Sequence, residues 1–463
     1  MDREDFVETY GFNLADLNQL LKEKKYRAFT EKLNDLNEAD IADYIESLAP
    51  EMRLLVFRML HKDIATDVFS FLEVDVQEGL INEVNDKELS SIVEELNVDD
   101  AVDMLEELPA IIVNRVLQNA KPETRKLINQ FLKYPEDSAG SIMTAEFLSV
   151  KRRMTVKEAF DYIREHADRT ETIYVLYVTD SQRHLKGVLT VKDLLMSPMD
   201  AVLNDIMEDN VIKCETIDDQ EEVADLFTHY DLLSIPVVDQ ENRLVGIVTV
   251  DDIVDVIEDE ATEDIEKMAA IVPTEREYFQ VSVIETWKSR IPWLMLLMVS
   301  ATFTGIIINS FEEALAACVA LTGFIPMLMD TSGNCGSQAS VTVIRALSLG
   351  DVEFKDIAKV VFKEVRVAFL CGVSLSAVNF LKIFLIDHLL FHNASITLMV
   401  DLVVCLTLCF TIICAKFVGC TLPMIADKLG FDPAVMASPF ITTIVDAVSL
   451  LIYFTFAIVL LGI

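Results

Sequence analysis

Three carboxylates stand inside or beside stretches that are otherwise apolar enough to enter a bilayer: Asp330 in PMLMDTSGN, Asp401 in LMVDLVVC and Asp446 in FITTIVDAV. Asp446 is the only charged residue between Pro433 and Ile463, a run of 31 residues. An unpaired carboxylate in hydrocarbon is costly, so such residues face a bundle interior or a watery path and mark ion or substrate sites. The chemistry on offer is that of hard oxygen ligands for a hydrated cation. Thr442 and Thr443, at i−4 and i−3, put hydroxyls on the helix face of Asp446, a suitable wall for such an ion. Asp330 precedes the Gly-rich TSGNCGSQAS, expected to be broken helix whose free carbonyls and amide side chains, Asn334 among them, line a cavity. Asp401 has no such company and reads as structural; a hydrogen-bonded packing role is the plainer alternative for Asp446.

The elements that must position these groups are membrane helices. Five spans are expected, at about 291–310, 314–337, 362–386, 396–420 and 436–462, each near or above the roughly 20 residues a bilayer needs. Arg345, Lys355, Lys359, Lys363 and Arg366 lie between the second and third spans and Lys416 and Lys428 between the fourth and fifth, whereas the loop of Glu312 and Glu313 has no base. Positive loops stay inside, which puts residues 1–285 in the cytosol and the C-terminus outside. Lys382 is left near an outer end, where it can snorkel. Pro292, Pro326, Pro423 and Pro439 fall in or beside spans; a proline inside a helix frees the carbonyl at i−4 and bends the axis. Pro439 lies two turns before Asp446 on the same face, where it can shape the path.

Composition separates two unlike parts. Residues 285–463 carry 13 acids and 10 bases, net −3, whereas the residues before them carry 63 acids and 28 bases, net −35. So acidic a body repels nucleic acid and anionic lipid and makes cations its natural partners. The first ten residues, MDREDFVETY, show neither a basic stretch nor an apolar one, so no cleavable signal peptide is expected. Seven of the eight cysteines lie in the apolar part, with no CxxC spacing, which argues against a disulfide framework or a zinc site.

Within the soluble part, SIMTAEFLSVKRRMTVKEAFDYI is repeated as DIMEDNVIKCETIDDQEEVADLF, and YVLYVTDSQRHLKGVLTVKDLL as LLSIPVVDQENRLVGIVTVDDIV. Gly187 aligns with Gly246 and Asp193 with Asp252, and the first copy has about five extra residues near His166 to Glu171. Each copy reads as strand, helix, strand, turn, strand, helix. Upstream, residues 13–133 show helical periodicity throughout, with acids opposite the apolar face, which predicts stacked helix pairs. After the second copy, VDDIVDVIEDEATEDIEKM carries Asp251, Asp252, Asp255, Glu258, Asp259, Glu260, Glu263 and Asp264 with no base before Lys267. Like charges at i, i+4 destabilise a bare helix, and hard carboxylate oxygens suit magnesium, calcium or manganese.

The paired GVLTVKD and GIVTVDD endings resemble a tandem pair of CBS (cystathionine β-synthase) domains. The order of parts, with PMLMDTSGNCGSQAS at 326–340, VIRALSLGD at 343–351 and FDPAVMASPFITTIVDAVSLLIYF at 431–454, resembles the MgtE family of bacterial magnesium channels over essentially the full length. Ser332 departs from the glycine usual at its place, and Cys335 follows the asparagine.

The resemblance implies a multidomain chain: an all-α superhelical acidic N-domain (1–133), CBS repeats at 134–202 and 203–257 in an α/β pair, an acidic plug or connecting helix at 251–284, and a helical membrane domain (285–463). It implies a homodimer in the bacterial inner or plasma membrane, with one pore between subunits, lined mainly by the second and fifth spans. Asp446 then resembles the aspartate that holds magnesium in the pore, with Thr442 one turn away; Asp432 resembles an acid at the cytosolic mouth that meets the plug helix. Regulatory magnesium ions would draw on Asp99, Asp103, Asp231, Asp252, Asp255, Glu258, Asp259, Glu263, Asp264 and Asp432. An adenine nucleotide such as ATP in the CBS cleft is also implied, with Asp231 as its ribose contact.

The expected function is magnesium uptake driven by membrane potential and closed by cytosolic magnesium. No G-x-x-x-x-G-K-[ST] motif for ATP hydrolysis is present, and the chain is not expected to be an enzyme. A divalent ion gains about 4.6 kcal/mol per 100 mV of inside-negative potential, so passive conduction suffices. The rival readings are a proton- or sodium-coupled divalent cation transporter and a membrane-tethered CBS nucleotide sensor; an anion channel is disfavoured by the acids in the spans.

Overall fold

A computed structural model describes residues 14–167, 170–274, 278, 281–390, 396–436 and 438–462. The first ten residues, read as lacking a signal peptide, lie outside the described residues, as do 168 and 169 in the longer first repeat. The chain divides into two compact units, residues 1–257 and 258–463.

The first unit opens with a stack of short helices, from α1 (Leu14–Lys22) through α8 (Val98–Glu107) to α10 (Pro122–Phe131). Local signals start and stop them. Asn85 forms a capping box with Glu88, Asn37 accepts from the Ala39 amide, and Pro50 and Pro122 occupy first helical turns. Helices of eight to ten residues cannot stand alone in water. The first two pack on each other, and from α3 (Glu38–Glu46) onward each buries its apolar stripe mainly against the next but one along the chain, closing a core of Ile41, Tyr44, Ile45, Val68, Phe69, Ile81, Leu89 and Val93.

The repeat forms two three-stranded sheets. In the first, β1 (Phe147–Lys151) pairs in parallel with β2 (Thr172–Thr179), which pairs antiparallel with β3 (Leu185–Thr190); α11 (Val156–His166) joins β1 to β2. The second repeats the plan with β4 (Cys214–Glu215), β5 (Ser234–Val238) and β6 (Leu244–Thr249), and here α14 (Gln220–Tyr230) joins β4 to β5. The paired glycines of the repeat are sites of close approach, and each receives the other copy. A Cβ on Gly246 would meet Met143 Sδ at 2.6 Å and Thr144 O at 2.9 Å, and one on Gly187 would meet Met207 Sδ and Glu208 O at 2.8 Å. The segments SIMTA and DIMED thus cross over, each packing on the opposite sheet.

The helix after β6, α15 (Val250–Met268), is continuous for 19 residues and shorter than the 251–284 expected. Among the described residues of the second unit, four helical segments are long and apolar enough to cross a membrane: 283–310, 354–390, 398–428 and 433–461. They contain α16 (Val283–Ser310), α19 (Ile357–Lys382) with a π-helical continuation Ile383–Leu390, α20 (Leu398–Lys428) and α21 (Ser438–Leu461).

The expected span at 314–337 is interrupted instead. A short helix α17 (Glu312–Ala317) stops at Cys318, a 3-10 segment covers Val319–Phe324, and α18 runs from Ile325 to Ser348. The break therefore precedes the Gly-rich stretch, and TSGNCGSQAS is unbroken helix, contrary to expectation. The reason is packing. A Cβ on Gly419 of α20 would lie 2.2 Å from Gly336 O of α18, so the small residues bring two backbones together rather than opening either.

Candidate functional site: an ion path and its acidic approaches

The polar residues of α18 form a stripe. Asp330, Asn334 and Gln338 follow one another at i, i+4 and i+8 and are exposed on the single chain, whereas Ser332, Gly333, Cys335 and Gly336 between them are buried. Beside this stripe lies Asp446 of α21. A Cβ on Gly333 would stand 3.1 Å from Thr442 Cγ2 and 3.9 Å from Asp446 Oδ1, so the missing side chain lets Thr442 pack closely on α18 and sets the Asp446 carboxylate beside Gly333. Asp446 lies within the field of Asp330. Among the described residues no salt bridge reaches either acid.

Pro439 falls in the first turn of α21, where its ring costs no hydrogen bond, and so does not kink the helix interior. Its carbonyl accepts from the Thr442 and Thr443 hydroxyls at 2.9 and 3.0 Å. Pro326 likewise opens α18, leaving Pro292 and Pro423 as the interior prolines. Ser332, the departure from glycine, donates to Leu328 O and shares a 2.8 Å hydrogen bond with Ser449 of α21, so a hydroxyl pair stitches the two helices where a glycine would not.

Asp401 is 1% exposed, and its Oδ2 lies 2.9 Å from Nε2 of His388 in the π-helical segment. The structural role expected for it thus has a partner that sequence did not suggest. Lys416 is not in a loop. It sits inside α20, buried, with Nζ 3.3 Å from Glu364 Oε2 of α19.

The acids of α15 divide into three groups in the structure. Glu263 and Asp264 are half-buried near the helix end, where Lys267 Nζ bridges Glu263 at 2.6 Å and Asp432 at 2.7 Å. Burial opposes the Lys267 charge, but those two hydrogen bonds outweigh it and hold the ammonium above its ordinary range. Burial and the nearby Asp432 charge raise the Asp264 carboxyl. Met268 packs with Ile344 and Ala434, seating the helix end on the membrane unit. Asp255, Glu258 and Asp259 are exposed.

Asp252 belongs to a different set, with Asp99, Asp100 and Asp103 of α8, Asp251, and the CBS residues Glu146 and Glu171. Burial first, and neighbouring carboxylates second, push Asp252 up to about 6, Asp100 and Glu146 to about 7 and Glu171 to about 8. Asp103 is exposed on α8 and lies within the field of Asp99, Glu106, Asp100 and Asp252. Thr249 donates to Asp252 at 2.6 Å and Asn97 to Glu171 at 2.7 Å. Asp99 is 6% exposed, and its Oδ1 has no hydrogen-bond partner among the described residues. A buried, orphaned carboxylate oxygen among like charges fits a cation.

No three acidic, histidine or cysteine side chains among the described residues converge tightly enough to hold a bare ion. Asp231 shares none of this burial: it caps α14 in the left-handed region, φ 52°, and is exposed.

With that geometry in hand, the comparisons with known proteins decide the family. The MgtE profile, described as a divalent cation transporter, matches residues 325–456; the MgtE intracellular N domain matches 36–137 and the CBS domain 139–200 and 203–259. "Magnesium transporter MgtE" of Thermus thermophilus is 36% identical over 96% of this chain and 98% of its own, and that of Bacillus subtilis 34% over 97% of each. The chain belongs to the MgtE family of magnesium transporters.

MgtE proteins are transporters rather than enzymes; matches to inosine-5'-monophosphate dehydrogenases span only 27–28% of this chain and are CBS-domain matches. Among solved structures, the soluble part of a magnesium transporter is 34% identical, with a TM-score of 0.51, covering 54% of this chain and 98% of its own. The cytosolic domain of the Mg2+ channel MgtE in complex with ATP is 38% identical, again with a TM-score of 0.51, covering 53% of this chain and all of its own. In this MgtE chain, sequence reasoning missed Asp100, Glu146, Glu171, Gln338 and Lys267. Gln338 was available from the i, i+4 spacing of Asp330 and Asn334. Glu146 and Glu171 carry no local signal, because only the sheet packing brings them to α8.

Proposed function

We propose that two copies of this chain form a magnesium-selective channel in the bacterial inner or plasma membrane, driven by the membrane potential. The observation that carries this reading is the stripe Asp330, Asn334, Gln338, which stands uncovered on α18 of a single chain beside Asp446 of α21. Polar groups at that depth need water or a second protein surface. A two-fold axis along the stripe supplies both, and pairs Asp446 with its copy to offer a charge of −2 to a hydrated divalent ion. Thr442 and Asn334 complete the wall. In this reading α17 with α18 is the second of five spans, and Arg345, Lys355, Lys359 and Lys428 mark the cytosolic ends.

The acids of the cytosolic half act as the sensor. Asp99, Asp103 and Asp252, joined by Asp100, Glu146 and Glu171, repel one another, as Glu263 and Asp264 repel Asp432. Bound among them, magnesium supplies the positive charge the carboxylates lack. The compact arrangement then gains population, and α15 is held at Asp432 as a plug. Asp231, Asp255, Glu258 and Asp259 remain proposed ligands, reached from exposed positions. An adenine nucleotide in the CBS pair, with Asp231 at its ribose, is proposed from the relative solved with ATP.

The test is magnesium flux into liposomes under an inside-negative potential, with Asp446→Ala beside the wild type and low or high magnesium on the cytosolic face. Wild-type flux is expected to fall at high cytosolic magnesium, and the variant to lose at least tenfold. Flux that follows a proton or sodium gradient instead would favour a coupled transporter, and none at all a CBS sensor.

A further inference from the structure

Lys416 and Glu364 are the one fully buried lysine–carboxylate pair among the described residues of the membrane unit, with side chains 6% and 10% exposed. Neither is near a helix end. By helical rise, Lys416 lies roughly 18 Å along α20 from Lys428 and Glu364 roughly 10 Å along α19 from Ile357. A lysine and a carboxylate buried this completely are kept charged only by each other, and removing one partner leaves the other unbalanced.

Their surroundings point to which function. Ala415 and Gly419, one before and three after Lys416, are the α20 residues against which α18 is seated: a Cβ on Gly336 would lie 3.2 Å from Ala415 O, and one on Gly419 would lie 2.2 Å from Gly336 O. Cys335, between Gly336 and Asn334, lies within the field of the Lys416 ammonium. The lysine is therefore directly behind the stretch of α18 that presents Asn334 on its other face. An unbalanced positive charge there would oppose a cation passing along the stripe, and a divalent ion twice as strongly as a monovalent one.

We infer that Glu364 is a positioning and neutralising residue of the ion path: its carboxylate holds the Lys416 ammonium behind α18 and cancels its field where cations pass Asn334. This rests on the channel reading above. It separates two roles of one contact, since a mere cross-link between α19 and α20 would be equally sensitive to loss of either partner.

The experiment uses the full-length protein in liposomes, comparing wild type, E364D, E364Q, K416M and the double variant E364Q/K416M, with thermal midpoints measured in detergent. E364D, which keeps the charge, is expected to stay within about threefold of wild-type magnesium flux. E364Q is expected to lose at least tenfold, and K416M and the double variant to recover to within about threefold, because neither leaves a positive charge behind Asn334. In divalent-free buffer E364Q should suppress sodium flux only by about the square root of its effect on magnesium, since the barrier scales with ionic charge.

Equal loss in E364Q and K416M, or a double variant as inactive as E364Q, would overturn the inference and leave a cross-link. The exchange E364K/K416E, which preserves a neutral pair, decides the matter if E364Q does not fold: retained flux supports the inference and lost flux overturns it. Wild-type protein that passes no magnesium would overturn the channel reading before any variant is compared, whereas a conducting wild type with an unaffected E364Q overturns this inference alone.

Discussion

Carboxylates in this protein do different work according to what surrounds them. Asp446 and Asp330 stand beside a polar stripe without a counter-charge, Asp401 and Glu364 are held by His388 and Lys416, and Asp99, Asp100, Asp252, Glu146 and Glu171 crowd one another away from water. The last group gives a pH dependence with a definite sign. These carboxyls bind their protons more tightly in the compact protein than in the unfolded chain. The stabilisation is therefore fully present below about pH 4, where unfolded carboxyls are protonated, and is lost as pH rises through the window of about 6 to 8 set by Asp252, Asp100, Glu146 and Glu171. In chelator, limited proteolysis of the first unit should accelerate from pH 5.5 to 8.5, and millimolar magnesium should flatten that profile. A flat profile in chelator would mean that the crowding is relieved by some other means.

Helices in the membrane unit are placed by small residues, and the connecting helix by one lysine. Gly419→Ala puts a methyl where Gly336 O already lies 2.2 Å away, so α18 and α20 must separate. A loss of about 1–3 kcal/mol is expected, read as a lower thermal midpoint in detergent. Gly305→Ala, with nothing within 4 Å of the added carbon, serves as the control and should be close to neutral. Lys267→Ala removes the only base within reach of both Glu263 and Asp432 among the described residues. Glu263, Asp264 and Asp432 then face one another with only the more distant Arg345 acting on Asp264, so closure should need several-fold more cytosolic magnesium. Flux measured against cytosolic magnesium concentration checks this, and an unchanged midpoint would remove Lys267 from the gate.

At the scale of the whole molecule, charge is distributed by unit: net −35 before residue 285 and net −3 after it. Divalent ions that bind the compact state should stabilise the first unit by mass action, by about 2.7 kcal/mol at a hundred times their dissociation constant, and potassium at equal ionic strength should not. Protease protection in magnesium but not in potassium is the expected result. Much of this was legible in the chain itself. Apolar runs, 3.6-residue periodicity and the duplicated glycine-ended strands are local signals, so the helical domain, the CBS pair and the lone Asp446 follow from sequence alone. Local signals also misled: glycines in TSGNCGSQAS read as a break because the backbone of Gly419, 83 positions away, cannot be seen from there. The crossover of SIMTA and DIMED, the gathering of Glu146 and Glu171 around α8, the Lys267–Asp432 bridge and the buried Lys416–Glu364 pair were decided only by tertiary structure. Each joins residues far apart in the chain, and whether a charge is solvated, shared or orphaned depends on what packs against it rather than on its neighbours in sequence.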